Sequence, residues 1–167
     1  KLVKKGWSII DAAAGGVEEV AAAGQLQVWV SGDETTVQSN AAIIQPMAKS
    51  IMYVGSLGNA KLVKNAMAML AAVNHLGLLE IFSWLNKGGL DAATFEKIMG
   101  DSMWNCNATR NIMTKVVKKE YKPRKSWMPK DVGFGLDIAR EMEVPMPLVG
   151  LASQLFAIAQ ATDNDEW

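Results

Sequence analysis

Residues 50–54, SIMYV, followed by residues 55–65, GSLGNAKLVKN, mark the point where the chain changes character. SIMYV is short, apolar and closed by Gly55, which predicts a β-strand. Beyond Gly58 no proline intervenes before Lys87, and Gly77 is the one glycine. Leu62, Met69, Leu70, Val73, Leu76, Leu79 and Phe82 recur there at helical spacing. The pattern predicts a helix from Ala60 to about Lys87, on the order of 40 Å long. It is apolar on more than one side, which predicts a central position. Lys87-Gly88-Gly89 supplies the stop.

Upstream of this junction, the first third of the chain alternates strand and helix signals. Residues 7–11, WSIID, read as a strand ending in an acid. Residues 17–23 are a small Ala-rich helical piece, and residues 26–31, LQVWVS, alternate as a strand does. Gly32-Asp33 punctuates. Asp33 then opens a helix expected to run to about Ala48, with Pro46 near its end. This is β-α-β-α-β material, as in an α/β sheet. Downstream, Asp91 is placed to cap a helix over about 92–99, and another is expected at about 103–118. A polar, proline-flanked loop, Lys118–Pro129, precedes a helix over Lys130–Glu143. Pro145 and Pro147 precede a last helix, Leu148–Ala161. The expected fold class is α/β followed by all-α, with domains at 1–55 and 56–167.

Composition narrows the function classes. Lys+Arg and Asp+Glu both number 17 in 167 residues. That balance gives no basic excess for a nucleic-acid partner. One cysteine, Cys106, and one histidine, His75, argue against a disulfide scaffold and against a His-based metal site. Residues 66–85 are the one membrane candidate, but Asn74, His75 and Glu80 interrupt them, so the expectation is a buried helix and no membrane partner. No apolar h-region follows the basic residues Lys1–Lys5, and a cytoplasmic protein is expected.

Three segments carry chemistry. In residues 11–26, DAAAGGVEEVAAAGQL, an acid, small residues and a glycine pair lead into a helix. Such a turn presents backbone N–H groups to an anion, or is simply a tight turn. In residues 55–65, Lys61 and Asn65 stand four apart on one helix face. A lysine opening an apolar helix is either desolvated and suited to proton transfer, or a snorkelling side chain beside a capping asparagine. In residues 130–141, KDVGFGLDIARE, Lys130 and Asp131 open an amphipathic helix after Pro129.

The order of these segments resembles the β-hydroxyacid dehydrogenase family, the 3-hydroxyisobutyrate dehydrogenase and glyoxylate reductase-like enzymes. The resemblance covers nearly the whole chain. It likens residues 1–55 to the second half of a Rossmann-like NAD(P)-binding domain, and 56–167 to the family's helical substrate and oligomerisation domain. The family's carboxylate-binding DAPVSGG segment matches Asp11, Ala12, Ala13, Ala14, Gly15, Gly16 and Val17 without a gap. The resemblance implies Lys61 as catalytic proton donor and acceptor. Asn65, Gly15 and Gly16 would bind the substrate, and Lys130 the cofactor, NAD or NADP. Phe134 and Leu136 would pack. Residues 162–167, TDNDEW, resemble the family's acidic-aromatic stretch near the C-terminus.

The chain also departs from the family pattern. Gly15 stands where the family has serine, Val17 where it has glycine, and the interval from Gly58 to Lys61 is short. The family's G-x-G-x-x-G turn does not occur in this sequence. The opening KLVKKG reads as the end of a helix feeding an existing sheet, and the chain alone is expected to be inactive. The implied function is hydride transfer between NAD(P) and a small 3-hydroxy acid, with a homo-oligomer formed through the helical domain. Two other functions fit the same residues: a non-catalytic oligomerisation or binding module, and an imine-type reductase on the same architecture.

Overall fold

The computed structural model describes residues 3–121 and 128–162. Residues 122–127 of the proline-flanked loop and residues 163–167 of the acidic-aromatic tail therefore lie outside the described residues. The chain forms two compact units, Lys1–Met67 and Ala68–Trp167.

The first unit is built on a three-stranded sheet in the order β1-β2-β3. Strand β1 is Ile10–Gly15, β2 is Leu26–Gly32 and β3 is Ala48–Tyr53. A 3₁₀ turn, Val3–Lys5, precedes them. β1 and β2 are antiparallel, from Ile10 opposite Gly32 to Gly15 opposite Gln27. The link between them holds one five-residue helix, α1 (Glu18–Ala22). That is too short for a parallel crossover, which takes about a dozen residues or more. β2 and β3 are parallel, joined through α2 (Glu34–Ile44) and a 3₁₀ turn at Gln45–Met47.

Asp33 starts α2 as expected, accepting from the Thr36 N–H at 2.8 Å and from the Thr36 hydroxyl at 2.7 Å. Two elements of this unit differ from the sequence pattern by three residues or more. The helix stops at Ile44 rather than Ala48, because Pro46 has no N–H to continue it and Ala48 already belongs to β3. The first strand is Ile10–Gly15 rather than 7–11, so the three alanines lie within the strand and not in a turn after it.

Period-two alternation then sorts the sheet's faces. Ile10, Ala14, Leu26, Val28, Val30 and Ile51 pack with Val37, Ile44 and Ala48 to form the core beneath α2. Asp11, Ala13 and Gly15 take the other face, opposite Ser31, Trp29 and Gln27.

The long helix α3 runs from Asn59 to Lys87, and the second unit begins within it, at Ala68. α4 is Ala92–Gly100, α5 Asn107–Val117, α6 Met128–Glu141 and α7 Pro147–Ala161. The stop after Lys87 is a Schellman turn: Gly89 has φ +89° and the Leu90 N–H reaches the Leu85 carbonyl at 3.0 Å. Asp91 caps α4 through the Thr94 N–H at 2.9 Å. α5 begins at Asn107, later than about 103, because residues 102–106 are held as turns. The Ser102 hydroxyl donates to the Met99 carbonyl, and the Cys106 N–H to the Thr109 hydroxyl.

The core of this unit joins Ala72 and Leu76 of α3, Met128 and Val132 of α6, and Val149, Ala152 and Phe156 of α7. Leu136 packs against it, but Phe134 does not, being 56% exposed. Val132, Leu136 and Ala139 lie on one face of α6, and residue 134 falls on the opposite side. Among the described residues, α3 is the one helix long and apolar enough to cross a membrane, with a mean hydropathy of 1.5. Here its Ala72 and Leu76 are core residues.

Candidate functional site

The first four N–H groups of any helix lack partners within it. At the start of α3 they are taken up by the chain before it and by the sheet. The Asn59 N–H reaches the Ser56 carbonyl at 3.0 Å. The Ala60 N–H reaches the Ser31 hydroxyl oxygen at 3.2 Å, with both residues fully buried. The Lys61 N–H is shared between the Gly58 carbonyl at 3.1 Å and Asp11 Oδ2 at 3.3 Å, and the Leu62 N–H reaches Gly58. Asp11 and Ser31 are register partners on β1 and β2. One cross-strand pair therefore caps two successive residues of the helix, and a carboxylate sits where the helix dipole favours it.

This cap positions Lys61. Its Nζ lies 3.9 Å from Asp11 Oδ1, and its side chain is 62% exposed. The desolvated lysine that the sequence left open is not what the geometry gives: Lys61 is a solvent-reachable ammonium tethered to a carboxylate. Asn65 stands one turn on and is 8% exposed. Its amide makes no hydrogen bond with another side chain or with the backbone among the described residues.

Gly15 ends β1 and Gly16 follows with φ +149°, which suits glycine. A Cβ on Gly15 would stand 2.5 Å from Trp29 Cη2, and one on Gly16 would stand 2.7 Å from Leu26 Cδ2. Neither position has room for a side chain as the neighbours stand. Asp11, Gly15, Gly16, Lys61 and Asn65 all belong to the first unit. Lys130 belongs to the second. Its side chain is 68% exposed, and its Nζ lies 3.4 Å from Oδ1 of the buried Asp131. α6 begins two residues before Lys130, so this pair sits within the first turn rather than at the helix start.

The sequence pattern does not single out Ser31 and Trp29, and marks Asp11 as part of a motif rather than as the partner of Lys61. Their positions alternate correctly along the strands, but the pairing that joins them exists only in the ladder. Among the described residues no group of three or more His, Cys, Asp or Glu side chains is placed to hold a metal ion. Lys130 presents an exposed ammonium beside a buried carboxylate, a pair that can meet an anionic or hydroxyl-bearing group.

Comparison with known proteins identifies the family. Residues 58–167 match the family model described as NAD-binding of NADP-dependent 3-hydroxyisobutyrate dehydrogenase. Residues 1–55 match the NAD binding domain of 6-phosphogluconate dehydrogenase. A probable 3-hydroxyisobutyrate dehydrogenase of Mycobacterium bovis is 30% identical over 165 residues, covering 93% of this chain and 56% of the relative. The 2-(hydroxymethyl)glutarate dehydrogenase of Eubacterium barkeri is 28% identical, covering 92% and 52%. The structure of the Mycobacterium tuberculosis 3-hydroxyisobutyrate dehydrogenase with L-serine superposes with a TM-score of 0.81 at 26% identity, over 93% of this chain and 57% of that one. The chain thus spans a little over half the length of these relatives. It belongs to the β-hydroxyacid dehydrogenase family, whose members use NAD or NADP.

Proposed function

We propose that the protein is an NAD(P)-dependent oxidoreductase that interconverts a small 3-hydroxy acid and its aldehyde or keto acid. The observation that carries this reading is the pairing of Lys61 with Asp11 at the capped start of α3, one turn before the buried Asn65. NAD(P), when bound, supplies hydride exchange with the carbinol carbon.

The chain's own residues do the rest. Lys61 Nζ gives a proton to the substrate oxygen on reduction and takes it back on oxidation. Its exposure lets it re-equilibrate with water between turnovers. Asp11 holds the Lys61 backbone and ammonium together, fixing where that proton is delivered. The Asn65 amide has donors and an acceptor unspent for the substrate. Gly16 is exposed and Gly15 half-buried, and their peptide groups are assigned to the substrate carboxylate. Lys130 is assigned to the cofactor.

In this proposal residues 1–55 complete a Rossmann-like NAD(P)-binding domain, and 56–167 serve the substrate and assembly. The exposed apolar side chains Leu148, Leu151 and Ile158 on α7 support a homo-oligomer through the helical part. A cytoplasmic setting fits the same reading. The test is Lys61→Ala in the full-length enzyme, measured as NAD(P)H formation with 3-hydroxyisobutyrate. Turnover is expected to fall by roughly 10²–10⁴-fold, the usual worth of a positioned acid–base group. A loss below tenfold overturns the assignment.

A further inference from the structure

Gly15 and Trp29 lie on the same sheet face as Asp11, and Trp29 pairs with Ala13, between the rows of Asp11 and Gly15. Same-face rows are about 7 Å apart along a strand. Trp29 is thus the next row along from the pair that holds Lys61. Its indole fills the space that a side chain at residue 15 would need: a Cβ there would meet Cη2 at 2.5 Å, Cζ3 at 3.1 Å and Cζ2 at 3.4 Å. Those three atoms are the carbon-only edge of the six-membered ring. They carry C–H groups and neither accept nor donate a conventional hydrogen bond.

We propose that Trp29 is a specificity-determining residue that gives the acid-binding end of β1 an apolar wall. It selects 3-hydroxy acids with an alkyl group on the carbon next to the carboxylate over those with a hydroxyl there. This rests on the function proposed above. An acid held at the exposed backbone of Gly16, next to the ring-covered Gly15, places its α-carbon one bond from the carboxylate, beside the ring edge. A methyl group packs against that edge. A hydroxyl of the same size loses water and finds no partner there.

3-Hydroxyisobutyrate and glycerate differ by this one exchange, methyl for hydroxyl. The experiment measures kcat/KM for both acids with NAD(P) in the full-length protein, in Trp29→Ala, and in Gly15→Ser/Trp29→Ala, where a hydroxyl replaces the ring edge. The wild type is expected to prefer 3-hydroxyisobutyrate by at least about tenfold, and the double variant to lose most of that preference. Gly15→Ser alone is expected to lower the melting temperature, and Trp29→Ala to rescue it, because the serine Cβ and the ring compete for one space. A preference unchanged across all three proteins, or activity lost equally with both acids in Trp29→Ala, overturns the inference. If Lys61→Ala keeps full turnover on both acids, the function proposed above fails instead, whatever the variants at Trp29 do. Rescue of melting temperature without a change of preference shows a packing pair only, and also overturns it.

Discussion

Ser31→Ala isolates the cap of α3. The Ser31 hydroxyl oxygen accepts the Ala60 N–H at 3.2 Å, and both residues are 0% exposed. Removing the oxygen leaves a buried donor with no partner. Such a loss costs about 1–3 kcal/mol, and substitutions of capping hydroxyls cost about 0.5–2 kcal/mol. A distance at the long end of the usual range argues for the lower part, about 1–1.5 kcal/mol. With a urea m-value of roughly 2 kcal/mol/M, the midpoint should fall by about 0.5–0.8 M. Ser31→Cys, nearly isosteric but a weaker acceptor, should fall between the two. Amide exchange at Ala60 should quicken together with that at Lys61, and kcat should drop with them, because Lys61 is the next residue along. A variant within about 0.3 kcal/mol of wild type, with Ala60 still protected, would show that the bond does not anchor the helix.

Other perturbations test other parts of the fold. Phe156→Ala removes the largest fully buried side chain of the second unit and should cost about 3–5 kcal/mol in chemical denaturation. The Asp33 and Asp91 carboxyls are held below their usual value, 3.8, by hydrogen bonds from Thr36 and Thr94. Their contribution is full above 3.8 and is lost as pH falls through the depressed folded values, so an Asp33→Asn/Asp91→Asn variant should show a shallower acid limb in unfolding curves. Burial holds His75 below its usual 6.5, partly offset by its bond with the Ala71 carbonyl. The folded state therefore binds the proton less readily than the unfolded one. Stability should be full above 6.5 and decline as pH falls through the lowered value, and His75→Gln should flatten that decline.

Local chemistry was legible in the sequence wherever a residue acts on its own neighbours. Asp33 and Asp91 cap the helices that follow them, and the glycines after Lys87 end α3. The α/β start and helical remainder followed from the same signals. The phase of β1 was not legible. Three alanines have little strand preference, and what holds them in a strand is the ladder to Val30, Trp29 and Val28, 14 to 18 residues away. The candidate site divides in the same way. Lys61 and Asn65 are one turn apart on a helix and could be read together. Asp11 reaches Lys61, and Ser31 reaches Ala60, through a register that no spacing reveals.

The cap of α3 also bears on how the protein folds. Asp11 lies 50 positions from Lys61, and Ser31 lies 29 positions from Ala60. The first turn of α3 is therefore closed in part by non-local contacts, whose loop-closure entropy must be met before they form. The helix interior can form early from neighbouring residues, but its first turn waits for β1 and β2 to zip. The order reverses on opening: fraying of that hairpin releases the first turn, and Lys61 loses its place while the rest of the helix persists. Exchange at two amides, Ala60 and Lys61, thus reports on the integrity of a sheet to which neither residue belongs.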